Sequence, residues 1–298
     1  MSEHKLQSTS SSGEGLALPG SGPVIVKIGG TTLEAQSSHR NLWTALAGMA
    51  RREGEVSGGV VLVHGGGKAA DALLTQLGFT TTRRGGIRIT PPDQMQHIAS
   101  VLAGSVNKAL VGSLLAAGGK PVGLCLGDGG AIATRVATHY DFDPGRVGEV
   151  IPAVPGAVGD GALLTLLVER GYLPVLCSIG IDAHGALLNI NADDAAAGVA
   201  GVLGASAVVL LTDVAGVMDA QGRVMPQLDR DAIEGLIATG VIYGGMIPKV
   251  RAALEASRTA NAPVVILDGN RPEALAEWIQ GKPVGTRINA ASASAGVK

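Results

Sequence analysis

Lys27 is a charged residue inside an otherwise apolar run, Val24–Ile28, and it is followed by Gly29 and Gly30. A lysine in a buried strand is costly unless an anion pairs with it. Two glycines after the strand let a ligand approach bare backbone N–H groups. The segment therefore predicts a site for a polyanion, although a lysine emerging at an ordinary strand end would give the same pattern.

A second apolar run, Val60–His64, leads into a glycine cluster at 65–67 and then Lys68, where a helix is expected to begin. The first amides of a helix and its dipole both favour an anion. The cluster also fits a degenerate dinucleotide pattern, but the acid expected about 20 residues later is replaced by the basic stretch 81–88. The segment contains no Walker-type loop. His64 is either a base or a packing residue, and its strand-end position favours packing.

Polar residues are concentrated at Asn189, Asn191, Asp193 and Asp194, directly before an alanine-rich stretch. One of them can cap the helix that is expected to follow. Capping does not require four polar residues. The segment therefore predicts carboxylate and amide groups that serve a site.

Lys249 follows Gly244, Gly245 and Pro248, the residues expected to introduce another helix. A cation is disfavoured at the positive end of a helix, so its position there indicates a bound anion. A lysine in contact with solvent is the alternative explanation.

These segments share a chemical character, because lysines, one carboxylate and many backbone amides all follow apolar strands. In an open α/β sheet such strand ends gather along one edge. The sequence shows no Ser–His–Asp set, no cysteine nucleophile and no cluster of metal ligands. A cationic, amide-rich site suits phosphoryl transfer, where positioning and charge neutralisation supply most of the acceleration.

The elements that position these residues alternate along the chain, which predicts an α/β fold, a three-layer αβα sandwich with a mainly parallel central sheet. Strands are predicted at 24–28, 60–64, 121–126, 174–179, 207–212 and 263–267. Helices are predicted at 40–52, 67–78, 92–118, 159–171, 192–203, 229–239, 246–259 and 271–279. The segments 83–90, 130–151 and 181–190 are predicted to form hairpins or flaps.

Composition excludes several classes of protein. The 298 residues are 46% hydrophobic but only 2% aromatic, and the net charge of −2 removes the basic surface of a nucleic-acid-binding protein. No uninterrupted apolar run reaches the length of a membrane span, so we expect a cytoplasmic protein. Residues 1–22 are rich in serine and glycine and are expected to be a disordered tail. Both cysteines are expected to be buried in strands.

Nine motifs together resemble those of the amino acid kinase family, and the resemblance covers about 23–289. They are KIGG (27–30), VHGGG (63–67), GIRIT (86–90), NK (107–108), LGDG (126–129), GYLPV (171–175), NINAD (189–193), TDVAG (212–216) and GMIPK (245–249). The combination of GIRIT and NINAD is more specific than either glycine cluster.

Within the family, the resemblance implies ATP-dependent phosphorylation of the side-chain carboxylate of N-acetyl-L-glutamate, a step of arginine biosynthesis. ATP would be the co-substrate, with Mg²⁺ held mainly by its phosphates. The resemblance also implies an N-lobe, about 23–185, for the acceptor and dimerisation, and a C-lobe, about 186–289, for ATP.

The resemblance assigns roles to individual residues. Lys27 and Lys249 would stabilise the transferring phosphoryl group, and Asp193 would orient both lysines. The acceptor would be bound by Gly66, Gly67, Arg88 and Asn189. The nucleotide would be bound by Gly29, Gly30, Asp213, Gly216, Val217, Met218, Val241 and Tyr243.

The same resemblance predicts a homodimer that does not respond to arginine, since 1–22 cannot form an amphipathic helix and 278–288 is similar to the insensitive branch. Three alternatives stay open at this point. One is a sister kinase acting on carrier-linked aminoadipate or glutamate. The second is a non-catalytic regulatory module that binds nucleotide or amino acid, and the third is a dinucleotide-dependent oxidoreductase.

Overall fold

The computed structural model describes residues 21–34, 39–52 and 58–290. Its strands are β1 (Val24–Ile28), β2 (Val60–His64), β3 (Arg83–Arg84), β4 (Ile87–Arg88), β5 (Pro121–Cys125), β6 (Thr134–Val136), β7 (Val147–Val150), β8 (Leu173–Cys177), β9 (Ile179–Ile181), β10 (Leu187–Ile190), β11 (Ala207–Thr212), β12 (Gln227–Asp229), β13 (Val264–Asp268) and β14 (Thr286–Asn289).

The helices account for most of the intervening chain. They are α1 (Thr31–Glu34), α2 (Arg40–Ala50), α3 (Gly67–Gln76), α4 (Pro92–Ala99), α5 (Asn107–Ala116), α6 (Ala162–Glu169), α7 (Ala192–Leu203), α8 (Arg230–Ala238), α9 (Met246–Ala260) and α10 (Ala274–Ile279). A π-helical segment, Ser100–Val106, joins α4 to α5, and a short 3₁₀ turn spans Asp128–Gly130.

The central sheet has eight strands in the order β12-β14-β13-β11-β1-β2-β8-β5. Its central strands are all parallel, and β14 is antiparallel to β13. β1 lies in the middle, where Lys27 pairs with Leu210 of β11 on one side and Val63 of β2 on the other. The predicted αβα fold with a mainly parallel sheet is confirmed.

Both faces of this sheet are buried, which explains why its strands are continuous apolar runs rather than alternating ones. Ile25 and Val61 face a core formed with α6, α7 and α9. Val26 and Leu62 face the opposite core, formed with α2, α5 and α10. Because these strands are parallel, their carboxyl ends lie at the same edge of the sheet, between the two helical layers.

Two smaller sheets form at that edge, in the segments predicted as hairpins or flaps. One has the order β6-β7-β10-β9, and the other is the β3–β4 hairpin. The β9–β10 pair is antiparallel, and residues 182–186 connect its two strands.

Several element boundaries differ from the predictions by one to three residues, and the differences that follow are larger. The helix predicted at 92–118 is divided by the π-helical segment, and the strand predicted at 174–179 ends at Cys177, with Ser178 separating β8 from β9. β12 and β14 were not predicted. β12 is the outermost strand of the sheet and β14 is next to it. They are only three and four residues long, and their polar residues interrupt the apolar pattern that would predict a strand.

Among the described residues, Pro92–Ala116 is long and apolar enough to cross a membrane by length and composition alone. Here it packs against β5, β8 and α2 of the sandwich. Apart from Ser21 and Gly22, the predicted tail at 1–22 lies outside the described residues.

Candidate active site

Lys27 lies near the carboxyl end of β1, and its side chain is only 14% exposed. Its Nζ is 2.9 Å from Oδ1 of Asp193. The side chain also folds over Gly29, where an added Cβ would lie 3.1 Å from Nζ. The glycine therefore leaves room for the ammonium group beside the backbone.

Asp193 is held in place by the start of α7. Asn191 caps this helix, because its side-chain oxygen accepts hydrogen bonds from the backbone N–H groups of Asp193 (2.8 Å) and Asp194 (3.3 Å). Of the two adjacent carboxylates, Asp193 is the one that pairs with Lys27, in agreement with its position in the NINAD motif.

Lys249 lies in the first turn of α9, and its Nζ donates to Oδ1 of Asp213 at 2.5 Å. Asp213 follows β11 directly. The hydrogen bond from Lys249 lowers the pKa of Asp213. Asp193, which is expected to orient both lysines, forms an ion pair with Lys27, whereas the ion pair of Lys249 is formed with Asp213.

These residues line a cavity of about 480 Å³ at the carboxyl ends of β1 and β11. Gly29 and Gly30 lie on its β1 side, and its apolar wall is formed by Leu210, Leu211, Pro248, Ala252 and Ile266. A cavity lined by cationic groups and by an apolar wall suits a nucleotide.

Of the residues predicted to seat adenosine, Asp213 lines this cavity, whereas Gly216, Val217, Met218, Val241 and Tyr243 are not in its wall. Val217 is buried, and its N–H donates to Thr286 Oγ1 at 2.8 Å. Met218 and Tyr243 are 47% and 75% exposed. Gly216 has a φ of 145°, and a Cβ there would lie 2.6 Å from Thr286 Oγ1, so only glycine fits. Val241 is half-buried in the loop before α9.

A second cavity, of about 170 Å³, is lined by all four residues predicted to bind the acceptor, Gly66, Gly67, Arg88 and Asn189. Two segments pass from the wall of one cavity to the wall of the other. Residues 65–67 line the second cavity and Lys68 lines the first. Likewise, 189–192 line the second cavity and Asp193 lines the first.

Arg88 is buried and held rigidly. Its Nη2 donates to the Gly67 carbonyl at 2.9 Å, and its Nη1 donates to Asp71 and Thr81. Although burial opposes it, hydrogen bonds from Arg88 and Arg83 lower the pKa of Asp71. Within the described chain these bonds occupy three of the five guanidinium N–H donors. The remaining donors can bind a carboxylate.

Asn189 lies on β10, where its Nδ2 donates to Thr90 Oγ1 at 2.9 Å. Gly66 has a φ of 150°, and a Cβ there would lie 2.5 Å from a methyl group of Leu102. The backbone of the second cavity therefore requires glycine at this position.

Comparison with known proteins places this chain in one family. The sequence matches the amino acid kinase family over residues 22–268. This chain belongs to the amino acid kinase family. Its relatives include acetylglutamate kinase from Pectobacterium carotovorum subsp. carotovorum (strain PC1), which is 41% identical over 266 residues, covering 89% of this chain and 98% of that protein. Acetylglutamate kinase from Moritella profunda is 40% identical, covering 90% and 96%.

Solved structures share the fold of this chain. A crystal structure of a protein from Streptococcus mutans UA159 has a TM-score of 0.66 at 27% identity, covering 90% of this chain and 98% of that one. N-acetylglutamate synthase from Neisseria gonorrhoeae, complexed with coenzyme A and N-acetyl-glutamate, has a TM-score of 0.72 at 21% identity. The structural match covers 92% of this chain and 61% of the synthase chain, and it shows that the two share a fold.

His64 of the amino acid kinase motif VHGGG is a packing residue. It is fully buried, its Nδ1 lies 2.7 Å from the Gly65 carbonyl, and its Nε2 lies 3.0 Å from Asn107 Nδ2. Nδ1 is therefore the protonated nitrogen, and Nε2 is the acceptor. Burial lowers the pKa of His64 to about 4, so the ring is neutral near pH 7.

Lys68 lines the nucleotide-sized cavity but was given no role from the sequence. Its Nζ lies 2.8 Å from a carboxylate oxygen of Glu34 on α1. The signal was present in the sequence, because Lys68 follows a glycine cluster at a helix start in the same way as Lys249. The ion pair with Glu34 was not foreseeable, since it depends on how α1 and α3 pack.

Proposed function

We propose that this chain transfers the terminal phosphoryl group of ATP to the side-chain carboxylate of N-acetyl-L-glutamate, giving an acyl phosphate and ADP in arginine biosynthesis. One observation carries the proposal. Two segments, 65–68 and 189–193, each contribute residues to the walls of both cavities, so the cavity that contains Arg88 lies directly beside the cavity that contains the lysines. Relatives about 40% identical over nearly their full length, which are acetylglutamate kinases, support the same acceptor.

The acceptor carboxylate is its own nucleophile. It is ionised near neutral pH, so the reaction needs no general base. The neutral, enclosed ring of His64 is consistent with this chemistry. The chain's contribution is to align the carboxylate with the γ-phosphorus and to neutralise developing charge.

Lys27 and Lys249 supply that neutralisation. Both ammonium groups lie in the nucleotide cavity, each restrained by a carboxylate, Asp193 or Asp213. Restrained cations are already oriented when charge develops on the transferring group, so they cost no reorganisation at that moment. In this proposal Asp193 is a positioning residue for Lys27, and Asp213 is a positioning residue for Lys249.

The remaining predicted residues bind the two substrates. Gly29 and Gly30 offer backbone amides to the phosphates, and Gly66 and Gly67 let the acceptor approach the backbone of α3. Arg88 binds the α-carboxylate through its fork of donors, and Asn189 binds the acetamido end. The adenosine lies beside Asp213, Gly216, Val217, Met218, Val241 and Tyr243. The N-lobe, 23–185, then holds most of the acceptor site, and the C-lobe, 186–289, holds most of the ATP site.

Mg²⁺ enters this proposal as the counterion of ATP. The described residues contain no group of three His, Cys, Asp or Glu side chains placed to hold a metal ion. Asp193 and Asp213 are both engaged by lysines. The phosphate oxygens would therefore be its main ligands.

The working form in this proposal is a cytoplasmic homodimer. Support comes from the exposed side of α5, where Ala109, Gly112, Leu115 and Ala116 face solvent and Leu115 is 57% exposed. Small residues at helical spacing allow another backbone to approach closely.

A coupled ADP-release assay tests the reaction. With N-acetyl-L-glutamate, glutamate, aspartate, carbamate and UMP as acceptors, we expect turnover with N-acetyl-L-glutamate and dependence on Mg²⁺. Turnover of free glutamate, with none of the acetylated acid, would refute the proposed acceptor.

A further inference from the structure

Three lysines line the nucleotide cavity, and each is paired with its own carboxylate. The pairs are Lys27–Asp193 (2.9 Å), Lys249–Asp213 (2.5 Å) and Lys68–Glu34 (2.8 Å). The first two have roles in the proposed reaction. The third has the same geometry and faces the same cavity.

Stability does not account for the third pair. The side chains of Lys68 and Glu34 are 67% and 50% exposed, and ion pairs this exposed contribute little to folding. Lys68 also lies in the first turn of α3, where the helix dipole opposes a positive charge. An anion bound in the cavity would offset that cost.

We propose that Lys68 is a third phosphate-binding cation, which exchanges Glu34 for terminal phosphate oxygens when a nucleoside triphosphate binds. The proposal rests on the nucleotide cavity of the proposed function. The high exposure of Lys68 leaves its long side chain free to move between the two partners. Glu34 contacts Lys68 Nζ through both carboxylate oxygens, at 2.8 and 3.2 Å, and keeps the ammonium over the cavity until nucleotide replaces it.

The test measures binding and turnover separately. Binding of Mg²⁺ with the β,γ-imido analogue of ATP is measured by calorimetry on the full chain, and ADP release gives the two KM values. Lys68→Ala should weaken analogue binding by about 10-fold and raise the KM for ATP, with the acceptor KM within about 2-fold. Lys68→Arg should recover most of the binding.

A matched control and a partner variant sharpen the result. Lys120→Ala removes an exposed lysine at the amino end of β5, whereas the cavity lies at the carboxyl ends of β1 and β11. This variant should leave analogue binding unchanged. Glu34→Gln removes the competing carboxylate and should bind the analogue as tightly as the parent or more tightly.

Two outcomes would overturn the role of Lys68. One is parental analogue binding by Lys68→Ala, and the other is a rise in the acceptor KM alone. The proposed acceptor is tested separately, because analogue binding that depends on Lys68 in a chain that does not phosphorylate N-acetyl-L-glutamate would support the cation and refute the acceptor.

A different observation concerns the two cysteines. Cys125 and Cys177 are register partners on the adjacent strands β5 and β8, and their sulfur atoms are 3.6 Å apart. The sequence predicted that both are buried. Cys177 is buried, whereas Cys125 is half-buried because β5 is the outermost strand of the sheet.

The two thiols differ in reactivity. The Cys177 thiol donates a hydrogen bond to the Cys125 sulfur, and this contact lowers the pKa of Cys125. The same contact and burial raise the pKa of Cys177. The more accessible sulfur is therefore also the one that ionises more readily, and it can react first with an oxidant in solution.

We infer that this pair is an oxidation site, converted to a disulfide by hydrogen peroxide. The Cys125 thiolate attacks one peroxide oxygen, the O–O bond breaks, and the sulfur becomes a sulfenic acid while the other oxygen is protonated and leaves as water. The Cys177 sulfur then displaces the sulfenic oxygen as a second water. Two thiols and one peroxide give one disulfide and two waters. The disulfide would link the outermost strand β5 to β8 at Cys177. The next residue, Ser178, lines the second cavity, which contains Arg88.

Intact mass measures the product, because the chain contains no other cysteine. Mild hydrogen peroxide should lower the mass by about 2 Da, block alkylation of both thiols, and be reversed by dithiothreitol. Cys177→Ser should instead accumulate a dimedone-reactive sulfenic acid, and Cys125→Ser should resist oxidation. Irreversible oxygen addition at Cys125 in the parent, or a disulfide between two chains, would overturn this site.

Discussion

At the scale of single residues, the proposed chemistry depends most directly on Lys27 and Lys249. We predict that Lys27→Ala and Lys249→Ala each lower kcat by at least about 10²-fold, because preorganised charge at a transferring group is worth a few kcal/mol. Steady-state kinetics with both substrates measure kcat, and calorimetry with the ATP analogue measures nucleotide binding separately. Lys282→Ala, an exposed lysine near the C-terminus, is the control. Near-parental kcat in either variant would remove that lysine from the reaction.

Arg88→Lys should act on the acceptor rather than on ATP. Arg88 already donates to Asp71 and the Gly67 carbonyl, and only a guanidinium has further donors for a carboxylate. We expect the acceptor KM to rise most, with the ATP KM little changed. An acceptor KM equal to that of the parent would show that Arg88 is not the carboxylate ligand.

His64 should make folding sensitive to acid. Its folded pKa of about 4 lies below the unfolded value of 6.5, so below pH 6.5 the unfolded chain binds the proton more readily. This contribution to stability is complete above pH 6.5 and is lost as the pH falls toward 4. Between pH 7.5 and pH 5 the loss is about 2 kcal/mol.

Urea unfolding of the parent and of His64→Gln at both pH values measures this effect. The variant has its own stability at pH 7.5, so the comparison is between the two pH-dependent changes. Equal changes in parent and variant would contradict a neutral, buried His64.

The residues of the site were predictable where a charge interrupts an apolar context. Lys27 inside β1 and Asp193 before an alanine-rich helix are of this kind. The pairing of Lys249 with Asp213 was not predictable, because it depends on the distance between the end of β11 and the start of α9. Such distances are set by packing and not by local sequence.

At the scale of elements, the start of α7 positions Asp193. We predict that Asn191→Ala destabilises the fold by about 1 kcal/mol through loss of the cap. It should also lower kcat, since fraying of the first turn moves Asp193 away from Lys27. Asn191→Ser, which restores a capping oxygen, should recover both. Parental kcat in Asn191→Ala, despite reduced stability in urea, would separate the cap from catalysis.

Prediction of elements was best where burial on both faces produces an apolar run. β1, β2 and β11 have the predicted bounds for this reason. The π-helical segment between α4 and α5 could not be predicted from the sequence, because its residues continue the helical pattern. It differs from an α-helix only in its backbone hydrogen bonding. β14 was missed because pairing with β13, rather than its own sequence, makes it a strand.

At the scale of the whole molecule, the prediction concerns assembly and regulation. We expect light scattering to give the mass of two chains and millimolar arginine to leave the activity unchanged. The basis is the serine- and glycine-rich composition of 1–22, which lacks an apolar helical face, and the C-terminal segment 278–288. A mass of six chains, with arginine inhibition that disappears when 1–22 is deleted, would contradict both parts.

The central position of β1 also has a consequence for how the chain is made. β1 leaves the ribosome before β2 and long before β11, so it can pair early with β2, but its other neighbour, β11, begins at Ala207. Until then one edge of β1 exposes unpaired backbone groups, which can recruit strands of other chains. Nascent chains released before Ala207 should therefore aggregate, and the nucleotide cavity should form only late in synthesis.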